Sequence, residues 1–152
     1  MTNHLTIHFG TPDDILVIAQ FQVDMAMESE GTVLDLDIVK RGVTHAMEDT
    51  GKGRYVIAYA DGKAIGSLML TREWSDWTDR WYLWIQSVYV APEYRGKGVY
   101  KAMYKKVKET AAAEGISTIR LYVDKTNLRA QSVYQKLGMQ ESHYLLYEDT
   151  IG

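Results

Sequence analysis

The stretch VYVAPEYRGKGVYKAMY, from Val88 to Tyr104, decides the reading of this chain. It passes from an apolar strand end through a proline turn to two glycines one lysine apart, Gly96 and Gly98, and then into a helix. A helix N-terminus carries N–H groups without intrahelical partners and a partial positive charge. Glycines just ahead of it let an anion approach the main chain with no Cβ in the way. Arg95-Gly96-Lys97-Gly98 supplies that geometry and two cations. An ordinary strand-to-helix turn, with glycines for geometry alone, fits the same residues. Two nucleotide motifs are excluded. The pattern G-x-x-x-x-G-K-[ST] is absent, and G-x-G-x-x-G lacks its third glycine because position 101 is Lys.

Working outward, the apolar pattern predicts the order β-α-α-β-β-β-α-β-α-β. Leu5 to Phe9 reads as a strand. Thr11, Pro12 and the acids Asp13 and Asp14 then open a first helix that fades near Glu28–Gly31. A second helix starts near Asp35 and ends before Gly51. Tyr55 to Ala60 and Lys63 to Thr71 form a hairpin around Asp61-Gly62. EWSDWTDRW, Glu73 to Trp81, reads as a long loop before a strand over Tyr82 to Val90. A helix over Lys97 to Glu114 ends at Gly115. A strand over Ile119 to Val123, a helix over Asn127 to Leu137 and a last strand over Met139 to Glu148 complete the chain. Antiparallel hairpins followed by strand–helix–strand crossovers predict an α/β mixed sheet with helices on both faces.

The chain has 152 residues, the size of one domain, and 46% apolar residues, enough for a core. Its net charge of −3 argues against nonspecific binding to nucleic acid or anionic membrane. The absence of cysteine excludes disulfides, thiolate metal sites and a cysteine nucleophile. His4 and His8 have helix spacing inside a segment that reads as a strand, which argues against a metal site. Neither a secretory signal nor a membrane-length apolar run is visible, so a cytoplasmic location is expected.

A second stretch, RLYVDKTNLRAQSVYQKLGM, covers Arg120 to Met139. Asn127 and Tyr134 are seven apart and share nearly one helix face, with small Ala130 between them. Alone, Asn127 reads as a helix cap and Tyr134 as a core tyrosine.

Together the two stretches resemble the GNAT N-acetyltransferases. Arg95 and Gly98 fill the first and fourth positions of that family's acyl-CoA motif [QR]-x-x-G-x-[GA], and Tyr100 replaces its last small residue. Asn127 to Met139 matches N-x-x-A-x-x-x-Y-x-x-x-G-[FM]. The resemblance covers essentially the whole chain. It implies one acetyltransferase domain over residues 1–152, with a largely antiparallel sheet of six to seven strands. It implies acetyl-CoA as cofactor, its pyrophosphate held by backbone N–H groups of Arg95, Gly96, Lys97, Gly98, Val99 and Tyr100. Val88, Tyr89 and Val90 would line the pantetheine and polarise the acetyl carbonyl, and Asn127 and Tyr134 complete the cofactor site. Tyr134 becomes the candidate general acid. Lys101, Lys105, Lys106 and Lys108 fit a solvated helix face; Lys101 or Lys105 suits the 3′-phosphate instead, and the spacing does not choose.

The base is not marked. Gln86 and Ser87 occupy the strand positions where some relatives carry an acid, so Glu28, Glu30 and Glu73 stand as candidates. Each also fits a plain solvated loop charge. For the acceptor, the resemblance points to Met25–Asp35 and Arg72–Trp84. These segments hold Glu28, Glu30, Glu73 and Asp76 beside Trp74, Trp77, Trp81 and Trp84, with Gln86 following. Carboxylates with aromatic faces suit a cationic small-molecule amine, and the tryptophans equally suit hairpin packing or a homodimer contact. A non-catalytic acyl-CoA-binding module and an acetyltransferase acting on a protein amine are the competing readings.

Overall fold

The computed structural model describes residues 4–152. By Cα proximity the chain divides between Tyr122 and Val123 into two compact units.

The first unit is a five-stranded sheet in the order β1-β2-β3-β4-β5, comprising β1 (Leu5–Phe9), β2 (Arg54–Ala60), β3 (Lys63–Ser75), β4 (Arg80–Val90) and β5 (Thr118–Leu121). The first three pairings are antiparallel and β4–β5 is parallel, which is the mixed sheet expected. Helix α1 (Ile15–Glu30) and helix α2 (Leu36–Glu48) bury Ile18, Ala19, Val43 and Ala46 against Tyr55 and Ile57 on one face. Helix α3 (Val99–Ala113) lies on the other, burying Met103, Val107 and Ala111. The β2 pattern follows from this. Val56 and Ala58 alternate with Tyr55 and Ile57, and all four are buried because both faces are covered.

Local chemistry fixes the joints. Asp35 caps α2 by accepting from the N–H groups of Asp37 and Ile38. Asp61 and Gly62, at φ 50° and 81°, make the turn between β2 and β3, since a two-residue hairpin of this kind needs positive φ at both central positions. Helix α3 ends as a Schellman motif, with the Ile116 N–H donating to Ala111 O at 2.9 Å across left-handed Gly115.

Two expectations are corrected. Glu73 to Trp81 is not a long loop. β3 runs on to Ser75, β4 begins at Arg80, and only residues 76–79 turn. Cross-strand pairs pull the polar segment into the ladder: Glu73 faces Tyr82, and Trp74 meets Trp81 edge-on at 5.0 Å. The sheet also has five strands rather than six or seven. No strand forms over Met139 to Glu148, where Tyr144, Leu145, Leu146 and Tyr147 are exposed. Strand-like composition makes a strand only where a ladder partner takes up the backbone groups.

The second unit contains helix α4 (Leu128–Lys136), capped by Asn127, whose Oδ1 accepts from the Ala130 N–H at 3.1 Å. It also closes with a Schellman motif. Met139 N–H donates to Tyr134 O at 3.1 Å across Gly138, at φ 96°. Among the described residues no helix is long and apolar enough to cross a membrane.

Candidate functional site

The glycine turn is shaped as an anion cradle. Gly96 and Gly98 both take left-handed φ, at 74° and 82°, and a Cβ at either would meet nothing within 4 Å. Their backbone conformation, not crowding, therefore calls for glycine, and the space outside the turn is open. Gly98 is the N-cap of α3 and offers no side chain to cap it. The first bond into the helix is Ala102 N–H to Gly98 O, at 3.0 Å. The amides of Val99 and Lys101 thus have no intrahelical acceptor. Tyr100, the bulky departure from the motif, does not fill the turn. Its ring stacks on Tyr104, with centroids 6.0 Å apart.

The strand leading into this turn is distorted where chemistry would need it. β4 pairs with β3 as Met69↔Gln86 and then Ser67↔Tyr89, so Ser87 and Val88 together oppose Leu68. This is a β-bulge, with Ser87 at φ 53°. On the other side, β5 pairs with β4 only from Tyr82 to Ile85. From Gln86 onward β4 has lost that parallel partner. Ala91 N–H reaches Ile65 O at 2.8 Å, and alternation turns the Val90 N–H the other way, away from β3. Gly66 makes the close fit possible, because a Cβ there would sit 2.9 Å from Tyr89 O.

Arg95 ties the end of β4 to the end of α1. Its Nε donates to Val90 O at 2.8 Å, and its guanidinium pairs with Glu28 Oε2 at 2.7 Å. Burial pushes the nearby Tyr89 phenol up from its ordinary value, and the charge of Glu28 adds to the rise. Glu28 is thereby placed at the same end of β4 as the Val90 amide. Glu30 is exposed at the end of α1.

Further along the sheet, alternation brings Thr71, Glu73, Tyr82, Trp84, Gln86 and Arg120 to the face that Met69 shares with the α1–α2 core. Gln86 donates to Thr71 Oγ1 at 2.7 Å. The Trp84 indole donates to Glu73 Oε1 at 2.8 Å, and Arg120 pairs with the same oxygen at 3.3 Å. Arg120 also lies over the Tyr82 ring at 4.2 Å, and Tyr122 packs 6.0 Å from Trp84. Glu73, Trp84 and Gln86 are therefore brought together. Trp74 is not with them, since it lies with Trp81 on the opposite face of the hairpin, and Trp77 stands 90% exposed at the tip. The sequence reading missed Arg120. The two-residue period of β5 was the available signal, since it sets Arg120 on one face with Tyr122.

In the second unit, Tyr134 lies on α4, and burial raises its phenol above the ordinary value. A separate cavity of about 480 Å³, lined by His8, Asp14 and Tyr59 among others, lies along β1 at the far edge of the sheet from β5.

The model of the acetyltransferase (GNAT) family matches residues 23–139, from within α1 to the end of the α4 motif. The chain belongs to the GNAT family. A possible acetyltransferase from Clostridium difficile 630 superimposes with a TM-score of 0.89 at 38% identity, covering 97% of both chains. A predicted acetyltransferase from Clostridium acetobutylicum, with acetyl-CoA, shares the fold at a TM-score of 0.78 and 18% identity, over 96% of each chain. The thialysine N-epsilon-acetyltransferase of Bos taurus is 41% identical over 68 residues, which is 45% of this chain and 39% of that protein. This GNAT chain thus spans well under two thirds of that curated relative.

Proposed function

We propose that this chain is an acetyl-CoA-dependent N-acetyltransferase acting on a primary amine of a small molecule. The observation that carries the reading is the β-bulge at Ser87, past the end of the β4–β5 pairing at Ile85, in the strand that leads into an uncapped, glycine-lined helix N-terminus. Family membership supports it, as does the acetyl-CoA of the Clostridium acetobutylicum protein.

The residues fit the cofactor. Its diphosphate suits the amides at the start of α3, where the helix dipole favours negative charge. Bound there, acetyl-CoA supplies an activated acetyl thioester. The Val90 N–H, turned away from β3, would be the donor to a carbonyl oxygen that gains charge. Asn127, whose oxygen caps α4, would leave its side-chain nitrogen for the cofactor. The chemistry it would supply is transfer of the acetyl group to the amine nitrogen, with the CoA thiol as leaving group. The amine's proton leaves through water held at Gln86 and Ser87 to Glu28, whose Oε2 is steadied by Arg95. Tyr134 would be the proton donor to the leaving thiolate.

A thiol-release assay with acetyl-CoA and a panel of amines tests this. The expected result is CoA release that depends on a primary amine and matches the acetylated amine one for one. No release above background with any amine, while CoA still binds, would leave a non-catalytic acyl-CoA module instead.

A further inference from the structure

We propose that the exposed lysine face of α3 is a docking surface for a small acidic carrier domain, which brings its acetyl thioester on a phosphopantetheine arm in place of CoA. This rests on the acetyl-transfer reading and adds a second, protein-borne donor to it.

Positive charge is unevenly divided along the chain. Residues 95–108 hold Arg95, Lys97, Lys101, Lys105, Lys106 and Lys108, and no acid. These are six of the 17 basic residues, which leaves 11 against all 20 acids elsewhere. A chain of net charge −3 thus gathers its cations on one helix and the turn that opens it. Lys101, Lys105 and Lys108 recur at four and three, so they share a face, opposite the buried Met103 and Val107. Lys97 stands just ahead of them in the glycine turn, and all four are exposed. Arg95 and Lys106 are engaged elsewhere, Arg95 with Glu28 at 2.7 Å and Lys106 over the Phe9 ring at 4.9 Å. Among the described residues Lys97, Lys101 and Lys108 have no ion-pair partner. Lys105 reaches only Glu109, at 4.0 Å with both side chains largely exposed. Lys97 and Lys108 rest over the rings of Tyr94 and Tyr104, at 5.7 and 5.8 Å. That props the ammonium groups without neutralising them.

CoA does not use the whole of this face. Its charges end at the 3′-phosphate, one ribose from the diphosphate. Lys108 lies nine residues beyond Val99, roughly 14 Å along the helix. A carrier domain addresses both ends. Its arm joins the protein through one phosphate, which suits the amides at the start of α3 as a diphosphate does. The acidic surface around the arm then lies along the lysines. The negative remainder of the chain repels an extended polyanion such as nucleic acid and favours a partner whose contact is one helix long. The reaction balances as it does with CoA. The carbon–sulfur bond of the thioester breaks, a carbon–nitrogen bond forms, and the proton lost by the amine ends on the carrier's thiol.

The test gives the wild-type protein one amine and three donors: acetyl-CoA, an acetyl-loaded acyl carrier protein of a bacterial fatty-acid synthase, and S-acetyl-4′-phosphopantetheine, which has the arm and phosphate without the protein. At about 50 mM salt, kcat/KM for the loaded carrier should exceed that for the free arm by at least about tenfold, and the excess should shrink several-fold by about 300 mM. Lys108→Glu should lower the carrier value about tenfold and Glu109→Lys should raise it, while acetyl-CoA stays within about twofold in both. The wild-type comparison stands even if a variant fails to fold. A carrier used no better than the free arm, while acetyl-CoA is used well, would overturn the proposal and leave acetyl transfer intact. A folded Lys108→Glu protein that uses the carrier as the wild type does would overturn it as well. If no donor acetylates any amine, the acetyl-transfer reading fails first and this one with it.

Discussion

Tyr134→Phe lowers kcat by about a hundredfold or more, with little change in the KM for acetyl-CoA. The size follows from what a positioned proton donor contributes, typically 10²–10⁴-fold. The change removes one oxygen and keeps the ring, so α4 and its Schellman end, made from backbone atoms, are left in place. The pH dependence has a definite sign. Burial favours the neutral phenol and raises its pKa above the ordinary value of 10.0. The acid form is therefore fully present below pH 10 and is lost only as pH climbs through the raised value. Wild-type activity should show no basic limb from this group at neutral or mildly alkaline pH. A Tyr134→Phe rate within threefold of wild type would move the proton donor to another residue or to water.

The second large effect is at the cradle. Gly98→Val raises the KM for acetyl-CoA by at least about tenfold, measured with saturating amine, since charge-assisted contacts at a helix N-terminus are among the stronger ones. Two causes act together. Gly98 holds φ 82°, where a side chain costs roughly 1–2 kcal/mol and a β-branched one is strained further. The added atoms would also enter the open space outside the turn, where a Cβ now has no neighbour within 4 Å. The backbone cost alone lowers the melting temperature by only a few degrees in a chain of this size. The assay is therefore run well below the transition, so that a change in KM reports the site. An unchanged KM in a folded Gly98→Val protein would mean that the turn does not touch the cofactor.

What was legible in the sequence was local. Asp61-Gly62, Gly98, Gly115 and Gly138 announce turns and helix ends because each sits at a φ that few other residues tolerate. Asp35 and Asn127 announce caps because their side chains stand in for missing backbone partners. The two family motifs are built from such residues, which is why the glycine turn and α4 were found. What was not legible depends on distant pairing. The bulge in β4 carries Ser87 at positive φ, and a serine gives no warning of it. Glu73 and Arg120 are 47 residues apart and meet only because β3, β4 and β5 lie side by side. Each alone looks like a solvated charge. Polar residues dominate the hairpin arm from Glu73 to Trp81 and suggest a loop, while cross-strand aromatic pairing holds it as strand. Residues 139–148 erred the other way, since their composition suits a strand and no ladder forms there.

The main-chain grip on the cofactor's diphosphate is tested most directly by calorimetric titration of the wild-type protein with CoA and, separately, with pantetheine, which has the same thiol arm and no phosphate. The account predicts saturable one-to-one binding of CoA and binding of pantetheine weaker by about a hundredfold or more. No heat at millimolar CoA, or pantetheine binding as tightly as CoA, would contradict it.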